Sequence, residues 1–123
     1  MKKNILIIED DEFFRELISK RLMAKDFSVT EAVDGEKGII AMREKKPDLV
    51  LLDLLLPGID GFEVLSKVKQ DPTTAVIPVI ILSNLGQPED IEKGVKLGAA
   101  DYLIKSQFDM DQIIEKINTI LAK

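Results

Sequence analysis

The sequence contains no cysteine and no histidine, and each absence excludes a class of chemical site. Without cysteine the chain has neither disulfides nor a thiolate nucleophile. Without histidine it has no imidazole base and lacks the usual zinc ligand. Catalytic triads, zinc sites and histidine-based acid–base catalysis are therefore excluded.

Long apolar runs and strong basic clusters are also missing. The longest apolar runs are about four residues, far short of the roughly 20 that a membrane-spanning helix needs, and the stretch MKKNILIIEDD becomes acidic before a signal peptide could form. We therefore expect a cytoplasmic protein that does not enter a membrane. The net charge is −5, and basic residues form no cluster larger than pairs such as Lys45-Lys46. This balance argues against direct nucleic-acid binding and favours proteins or small ions as partners.

The 123 residues fit one domain, covering residues 1–123, and the 46% apolar and 32% charged residues are typical of a globular protein. Apolar runs alternate with segments of helical period. The apolar runs lie at 5–8, 27–33, 49–52, 76–82 and 102–104, and the helical segments lie at 14–22, 35–45, 61–70, 88–97 and 110–121. Strict alternation predicts an α/β fold with a doubly wound parallel sheet.

The character of each apolar run predicts its place in that sheet. The runs at 5–8, 49–52 and 79–82 are apolar on both faces, as central strands covered by helices must be. The runs at 28–33 and 99–104 carry polar residues among the apolar ones, so both are expected at the edges. This pattern fits the strand order 2-1-3-4-5.

Polar residues follow the predicted strands where they end, and open parallel sheets bind ligands outside these carboxyl ends. The residues are Glu9, Asp10 and Asp11 after the first strand, Asp53 after the third, Ser83 after the fourth and Lys105 after the fifth. Asp11 alone is best explained as a helix cap, and Asp34 after the second strand as a helix start. The remaining side chains are expected to lie together at the carboxyl edge of the sheet, which we call the rim.

This rim has more negative than positive charge. Two carboxylates about 5 Å apart repel by roughly 3 kcal/mol at an effective dielectric constant of about 20, and Lys105 alone opposes Glu9, Asp10 and Asp53. A hard divalent cation would balance the charges, and Mg²⁺ suits a site with one or two carboxylates, waters and phosphate oxygens. A cation, a hydroxyl and an ammonium around Asp53 favour phosphoryl transfer, with Asp53 as the nucleophile that forms an acyl phosphate.

In this order and spacing, the residues resemble the receiver domain of two-component response regulators. The acidic pair Glu9-Asp10, the stretch DLLLPGIDG that begins at Asp53, Ser83 and Lys105 carry the resemblance, which covers essentially the whole chain. It implies a flavodoxin-like (βα)5 fold, as in CheY-like proteins. It also implies a signalling domain that takes a phosphoryl group from a sensor histidine kinase or a phosphotransfer protein. Such a domain catalyses only its own phosphorylation and dephosphorylation.

The resemblance implies that Asp53 is the phosphoryl acceptor in a Mg²⁺-dependent reaction. Asp10 is expected to bind the metal directly and Glu9 through water. Asp53 and the backbone carbonyl of Leu55 would complete the ligands that the protein supplies.

The resemblance also assigns the switch. Ser83 and Lys105 are expected to contact phosphoryl oxygens, and Tyr102 to move as Ser83 is drawn toward the phosphoryl group. The face formed by the fourth helix, the fifth strand and the fifth helix would then change and control a downstream protein. The domain would act as a monomer or as a phosphorylation-dependent dimer.

Several positions depart from the usual pattern of such domains. Ser106 follows Lys105 where a proline with a cis bond is common, so this bond is expected to be trans or strained. Asn84 stands where a small residue is common, which would narrow access to the phosphoryl group. Leu55 and Leu85 place apolar groups beside the site, and we expect them to hinder an attacking water and slow phosphoryl loss.

Other function classes stay open at this point. An interaction module could keep the fold and work without phosphorylation, although the intact set of polar residues argues against it. A phosphatase with an aspartyl nucleophile usually needs a second acid two residues later, and this chain has Leu55 there. A flavin-binding domain would need a phosphate loop rich in Ser, Thr and Gly, whereas EDDEFF follows the first strand.

Overall fold

The computed structural model describes residues 2–123 and shows five strands that alternate with five helices. The strands are β1 (Asn4–Ile8), β2 (Ser28–Ala32), β3 (Leu49–Leu52), β4 (Val79–Ser83) and β5 (Asp101–Ile104). The helices are α1 (Glu12–Ala24), α2 (Gly35–Lys45), α3 (Gly61–Gln70), α4 (Pro88–Lys96) and α5 (Met110–Leu121), and a 3-10 turn spans Lys105–Gln107. The strands form one parallel sheet in the order β2-β1-β3-β4-β5, which confirms the predicted order.

Burial explains this order. Every residue of β3 and β4 is buried, and so are the last four of β1, because helices cover both faces of these central strands. Strands β2 and β5 are only partly buried, as edge strands should be. The core has two halves, one on each face of the sheet. Helices α2 and α3 pack into the first half, and α1 and α5 into the second.

Aspartates start four of the five helices. The side chains of Asp11, Asp34, Asp60 and Asp109 each accept the backbone N–H three residues later. Asp11 and Asp34 are therefore the helix caps that the sequence predicts. Helix α4 instead begins with a proline, and its N-terminal neighbour Gln87 makes no side-chain capping bond.

Helix α1 turns Ile18 and Leu22 toward the core and leaves the neighbouring Leu17 partly exposed. Ile18 and Leu22 are fully buried, whereas Leu17 is 40% exposed. One residue turns a helix by about 100°, so Leu17 lies beside the buried row rather than in it. Ser19 is buried on the other side and donates a hydrogen bond to Glu31 in β2 at 2.8 Å. No helix within residues 2–123 is both long and apolar enough to cross a membrane.

Candidate functional site

Adjacent strands deliver two carboxylates to the same edge of the sheet. Ile8 pairs with Leu52 at the ends of β1 and β3, and the N–H of Asp53 donates to the carbonyl of Ile8 at 3.0 Å. Glu9 and Asp53 therefore leave neighbouring strands side by side. One carboxylate oxygen from each of Glu9, Asp10 and Asp53 lies within 4.8 Å of the others. Glu9 and Asp53 are buried, and Asp10 is exposed.

Lys105 provides a positive charge between the two buried carboxylates. Its Nζ atom lies 2.5 Å from Oε1 of Glu9 and 3.3 Å from Oδ2 of Asp53, and only 13% of its side chain is exposed. The same nitrogen lies 4.5 Å from the ring centre of Phe14, a cation–π contact that further fixes its position. No peptide bond between residues 2 and 123 is cis, so the bond between Lys105 and Ser106 is trans.

Burial of these charges changes the pKa of both partners. Burial raises the pKa of Glu9 from 4.5 to about 7, and the charge of Asp53 adds to this rise although the hydrogen bond from Lys105 opposes it. Burial lowers the pKa of Lys105, but its hydrogen bond to Glu9 and the charge of Asp53 outweigh burial and leave the pKa raised. The lysine therefore stays charged, and Glu9 holds a proton in part at neutral pH when no metal is present.

The donor set suits a small divalent cation. Three carboxylates provide hard oxygen ligands, and one ammonium leaves their charge incompletely balanced. Mg²⁺ prefers such oxygens and keeps several waters when it binds. The residues present therefore fit a Mg²⁺ ion.

The backbone beside Asp53 orients its carboxylate. Oδ1 of Asp53 accepts the N–H of Leu54 at 2.7 Å and that of Leu55 at 3.4 Å. Leu55 is 57% exposed, so it places an apolar side chain at the open side of the site. A Cβ atom at Gly61 would lie 2.4 Å from the backbone oxygen of Asp53, so only glycine allows α3 to start this close.

Ser83 and Tyr102 meet at the loop that follows β4. Ser83 is fully buried and is the last residue of β4 rather than the first after it. Its hydroxyl oxygen accepts the N–H of Leu85 at 3.3 Å, and the Tyr102 hydroxyl donates to the carbonyl of Leu85. Burial raises the pKa of Tyr102, with a further contribution from the charge of Asp90, so this hydroxyl keeps its proton.

The sequence alone did not identify three contacts that hold this site. Phe14 contacts Lys105, and Arg15 donates to the backbone carbonyl of Glu9 at 2.9 Å. The third contact joins Asn84 to Ser106 across two loops at 3.2 Å. Asn84 and Ser106 each stand out in the sequence, but no pattern reveals that they meet.

Comparison with known proteins gives a consistent result. The family model "Response regulator receiver domain" matches residues 5–118. The DNA-binding dual master transcriptional regulator RpaA of Synechocystis sp. is 41% identical over 119 residues, or 97% of this chain and 49% of that protein. The phosphate regulon transcriptional regulatory protein PhoB of Escherichia coli is 32% identical over 123 residues, or 100% of this chain and 53% of that protein. This chain therefore spans about half the length of these two relatives.

Solved structures of receiver domains have the same fold as this chain. The BeF3-activated N-terminal receiver domain of Klebsiella pneumoniae RstA has a TM-score of 0.91 with this chain at 26% identity, covering 98% of this chain and 100% of that one. The receiver domain of the Francisella response regulator 1452 has a TM-score of 0.91 at 27% identity, with 98% of each chain covered. With such coverage, both likenesses extend over nearly the whole fold described above.

Proposed function

This chain belongs to the receiver domain family of two-component response regulators, and we propose that it is a phosphorylation-dependent switch whose phosphoryl acceptor is Asp53. The observation that carries the proposal is the pocket of Glu9, Asp10, Asp53 and Lys105 at the carboxyl edge of the sheet. Residues 1–123 form one receiver domain in this proposal.

Asp53 acts as the nucleophile in this proposal. A carboxylate oxygen forms a bond to phosphorus while the bond between phosphorus and the donor's imidazole nitrogen breaks, and the imidazole leaves. The backbone N–H groups of Leu54 and Leu55 support this role because they hold Oδ1 of Asp53 in a fixed direction. The donor is the phosphohistidine of a sensor kinase or of a phosphotransfer protein.

Glu9, Asp10 and Asp53, with the backbone carbonyl of Leu55, are proposed as the protein ligands of Mg²⁺. When bound, the metal supplies positive charge that neutralises the carboxylates and the incoming phosphoryl oxygens. Lys105 supports the same task from the other side, because its ammonium already lies between Glu9 and Asp53. On phosphorylation, the Lys105 ammonium would give up part of its contact with these carboxylates and donate to a phosphoryl oxygen instead.

Ser83 and Tyr102 are proposed as the switch. Among residues 2–123, the Ser83 hydroxyl makes one side-chain hydrogen bond, which it accepts from Leu85 at 3.3 Å, so its proton is available to a phosphoryl oxygen. Leu85 would follow this movement, and the Tyr102 hydroxyl that bonds to its carbonyl would have to move with it. The Tyr102 ring packs beside Gly94 of α4, so the face of α4, β5 and α5 would report the change to a downstream protein.

The partners in this proposal are a kinase or phosphotransfer protein and a downstream protein. We propose that this domain is cytoplasmic, makes no direct contact with nucleic acid or membrane, and acts as a monomer or a phosphorylation-dependent dimer. Any DNA-binding activity of longer relatives such as RpaA belongs to those proteins.

Intact mass spectrometry after incubation with Mg²⁺ and a small phosphodonor tests the proposal. We expect one added phosphoryl group in the wild type and in Asp26→Asn, and none in Asp53→Asn or when EDTA replaces Mg²⁺. Asp26 is a matched control because its carboxylate is 85% exposed and its positive φ of 71° is one that asparagine tolerates. An unmodified wild type that still binds Mg²⁺ would favour an interaction module, and continuous release of phosphate would favour a phosphatase.

A further inference from the structure

The loop of residues 84–86, between β4 and α4, is anchored by side chains alone. Within residues 2–123, no backbone-to-backbone hydrogen bond involves an N–H or carbonyl group of this loop. Two of its anchors are already described: the Leu85 N–H donates to Ser83, and the Leu85 carbonyl accepts the Tyr102 hydroxyl. Each anchor uses a residue of the proposed switch.

The third anchor joins the 84–86 loop after β4 to the 3-10 turn after β5. Oδ1 of Asn84 accepts the backbone N–H of Ser106 at 3.2 Å. Asn84 directly follows Ser83, and Ser106 directly follows Lys105. The bond depends on an acceptor side chain at position 84 and on a residue other than proline at position 106.

We propose that Asn84 is a positioning residue that holds the 84–86 loop in its resting arrangement through this bond to Ser106. The inference rests on the proposed function, in which the Ser83 hydroxyl turns from Leu85 toward a phosphoryl oxygen. A loop without backbone bonds depends on each remaining anchor, and one net hydrogen bond is worth about 1 kcal/mol, or about fivefold in an equilibrium constant. Loss of the Asn84 side chain should therefore favour the phosphoryl-bound arrangement by about fivefold.

Lys105 should be unaffected by the same change. Its ammonium is held by Glu9, by Asp53 and by the Phe14 ring, none of which belongs to the 84–86 loop. The affinity for Mg²⁺ should therefore stay at the wild-type value when Asn84 is shortened. A general loss of structure would lower both the affinity for Mg²⁺ and the affinity for a phosphoryl mimic, which separates it from the proposed effect.

Titration with beryllofluoride in Mg²⁺ measures the effect without phosphoryl chemistry. Tyr102 is the only tyrosine, and the chain has no tryptophan, so tyrosine emission follows the switch residue directly. We expect Asn84→Ala to bind beryllofluoride about fivefold more tightly than the wild type and to bind Mg²⁺ equally well. Gln87→Ala is the matched control because Gln87 is exposed directly after the loop and makes no side-chain capping bond. It should behave as the wild type.

Amide hydrogen exchange tests the bond itself. Exchange of the Ser106 N–H should be faster in Asn84→Ala and should stay slow in Asn84→Asp, which keeps an oxygen at the same position. Unchanged exchange in Asn84→Ala, or beryllofluoride affinity equal to that of the wild type, would overturn this inference alone. A wild type that binds no beryllofluoride would overturn the proposed function and this inference with it.

Discussion

Burial of Glu9 predicts that the metal-free protein loses stability as the pH rises. Its pKa is raised from 4.5 to about 7, so the folded protein keeps a proton that the unfolded chain has already released in this range. The stabilisation from this proton is complete below pH 4.5 and is lost as the pH rises through about 7. The difference between the two pKa values corresponds to at most about 3 kcal/mol of unfolding free energy.

Under the proposed function, magnesium should reverse this trend, because it would favour the ionised carboxylate of Glu9 and therefore compete with the proton. Below the Glu9 pKa of about 7, each drop of one pH unit should weaken the apparent affinity for Mg²⁺ by about tenfold if one proton is displaced. Saturating Mg²⁺ stabilises the folded state by mass action. The stabilisation by Mg²⁺ should consequently be larger in mildly alkaline than in mildly acidic solution.

Urea unfolding at about pH 5 and about pH 8, with EDTA or with Mg²⁺, measures both effects. Glu9→Gln cannot ionise at this position, so its metal-free stability should lack the part of the pH dependence that Glu9 causes. Glu16→Gln is the control, because Glu16 is exposed on α1 and should leave the wild-type dependence intact. The reasoning would be refuted if the wild type and Glu9→Gln lost equal stability between the two pH values, or if Mg²⁺ stabilised the wild type equally at both.

Three further predictions concern the surroundings of Asp53 and the switch loop. Gly61→Ala should lower the unfolding free energy by about 2 kcal/mol and slow phosphorylation, because the new Cβ would lie 2.4 Å from the Asp53 backbone oxygen. A urea midpoint equal to that of the wild type would contradict this prediction. Tyr102→Phe should lower the unfolding free energy by about 1 kcal/mol, because it removes the hydrogen bond to the Leu85 carbonyl. An unchanged urea midpoint would show that this bond does not contribute to stability. Polar replacement of both Leu55 and Leu85 should speed hydrolysis of the phosphorylated protein at least about threefold, which corresponds to a barrier lower by ~0.7 kcal/mol. Intact mass spectrometry over time measures this rate. An unchanged rate would show that these side chains do not exclude water.

The sheet could be predicted from the sequence because burial on two faces leaves a simple pattern. A central parallel strand is apolar along nearly its whole length, and the runs at 5–8, 49–52 and 79–82 are apolar throughout. Strand order then determines where the strand ends meet, so the pattern of apolar runs was enough to place Glu9 and Asp53 at one edge. This part of the site follows from topology.

Other features depend on contacts that no local pattern encodes. The exposure of Leu17 and the burial of Ser19 depend on how α1 is rotated against β2, which its spacing of apolar residues does not determine. The pKa of Glu9 depends on how deeply the fold buries its carboxyl group and on a lysine 96 residues away along the chain. The bond between Asn84 and Ser106 likewise requires that two loops approach each other with a particular backbone geometry.

Different kinds of hydrogen bond hold the two halves of the site, and this difference determines which half can move. Backbone bonds hold the side of the proposed acceptor: the N–H of Glu9 donates to Ala32 and that of Asp53 to Ile8, both at 3.0 Å. Within the described part of the chain, the 84–86 loop on the other side is held by hydrogen bonds that involve side chains. Segments with few backbone bonds open at lower free energy than strands that are bonded on both sides. In the proposed function, phosphorylation would therefore leave the proposed acceptor and metal ligands in place and move the loop beside Ser83, which is the division that a switch requires.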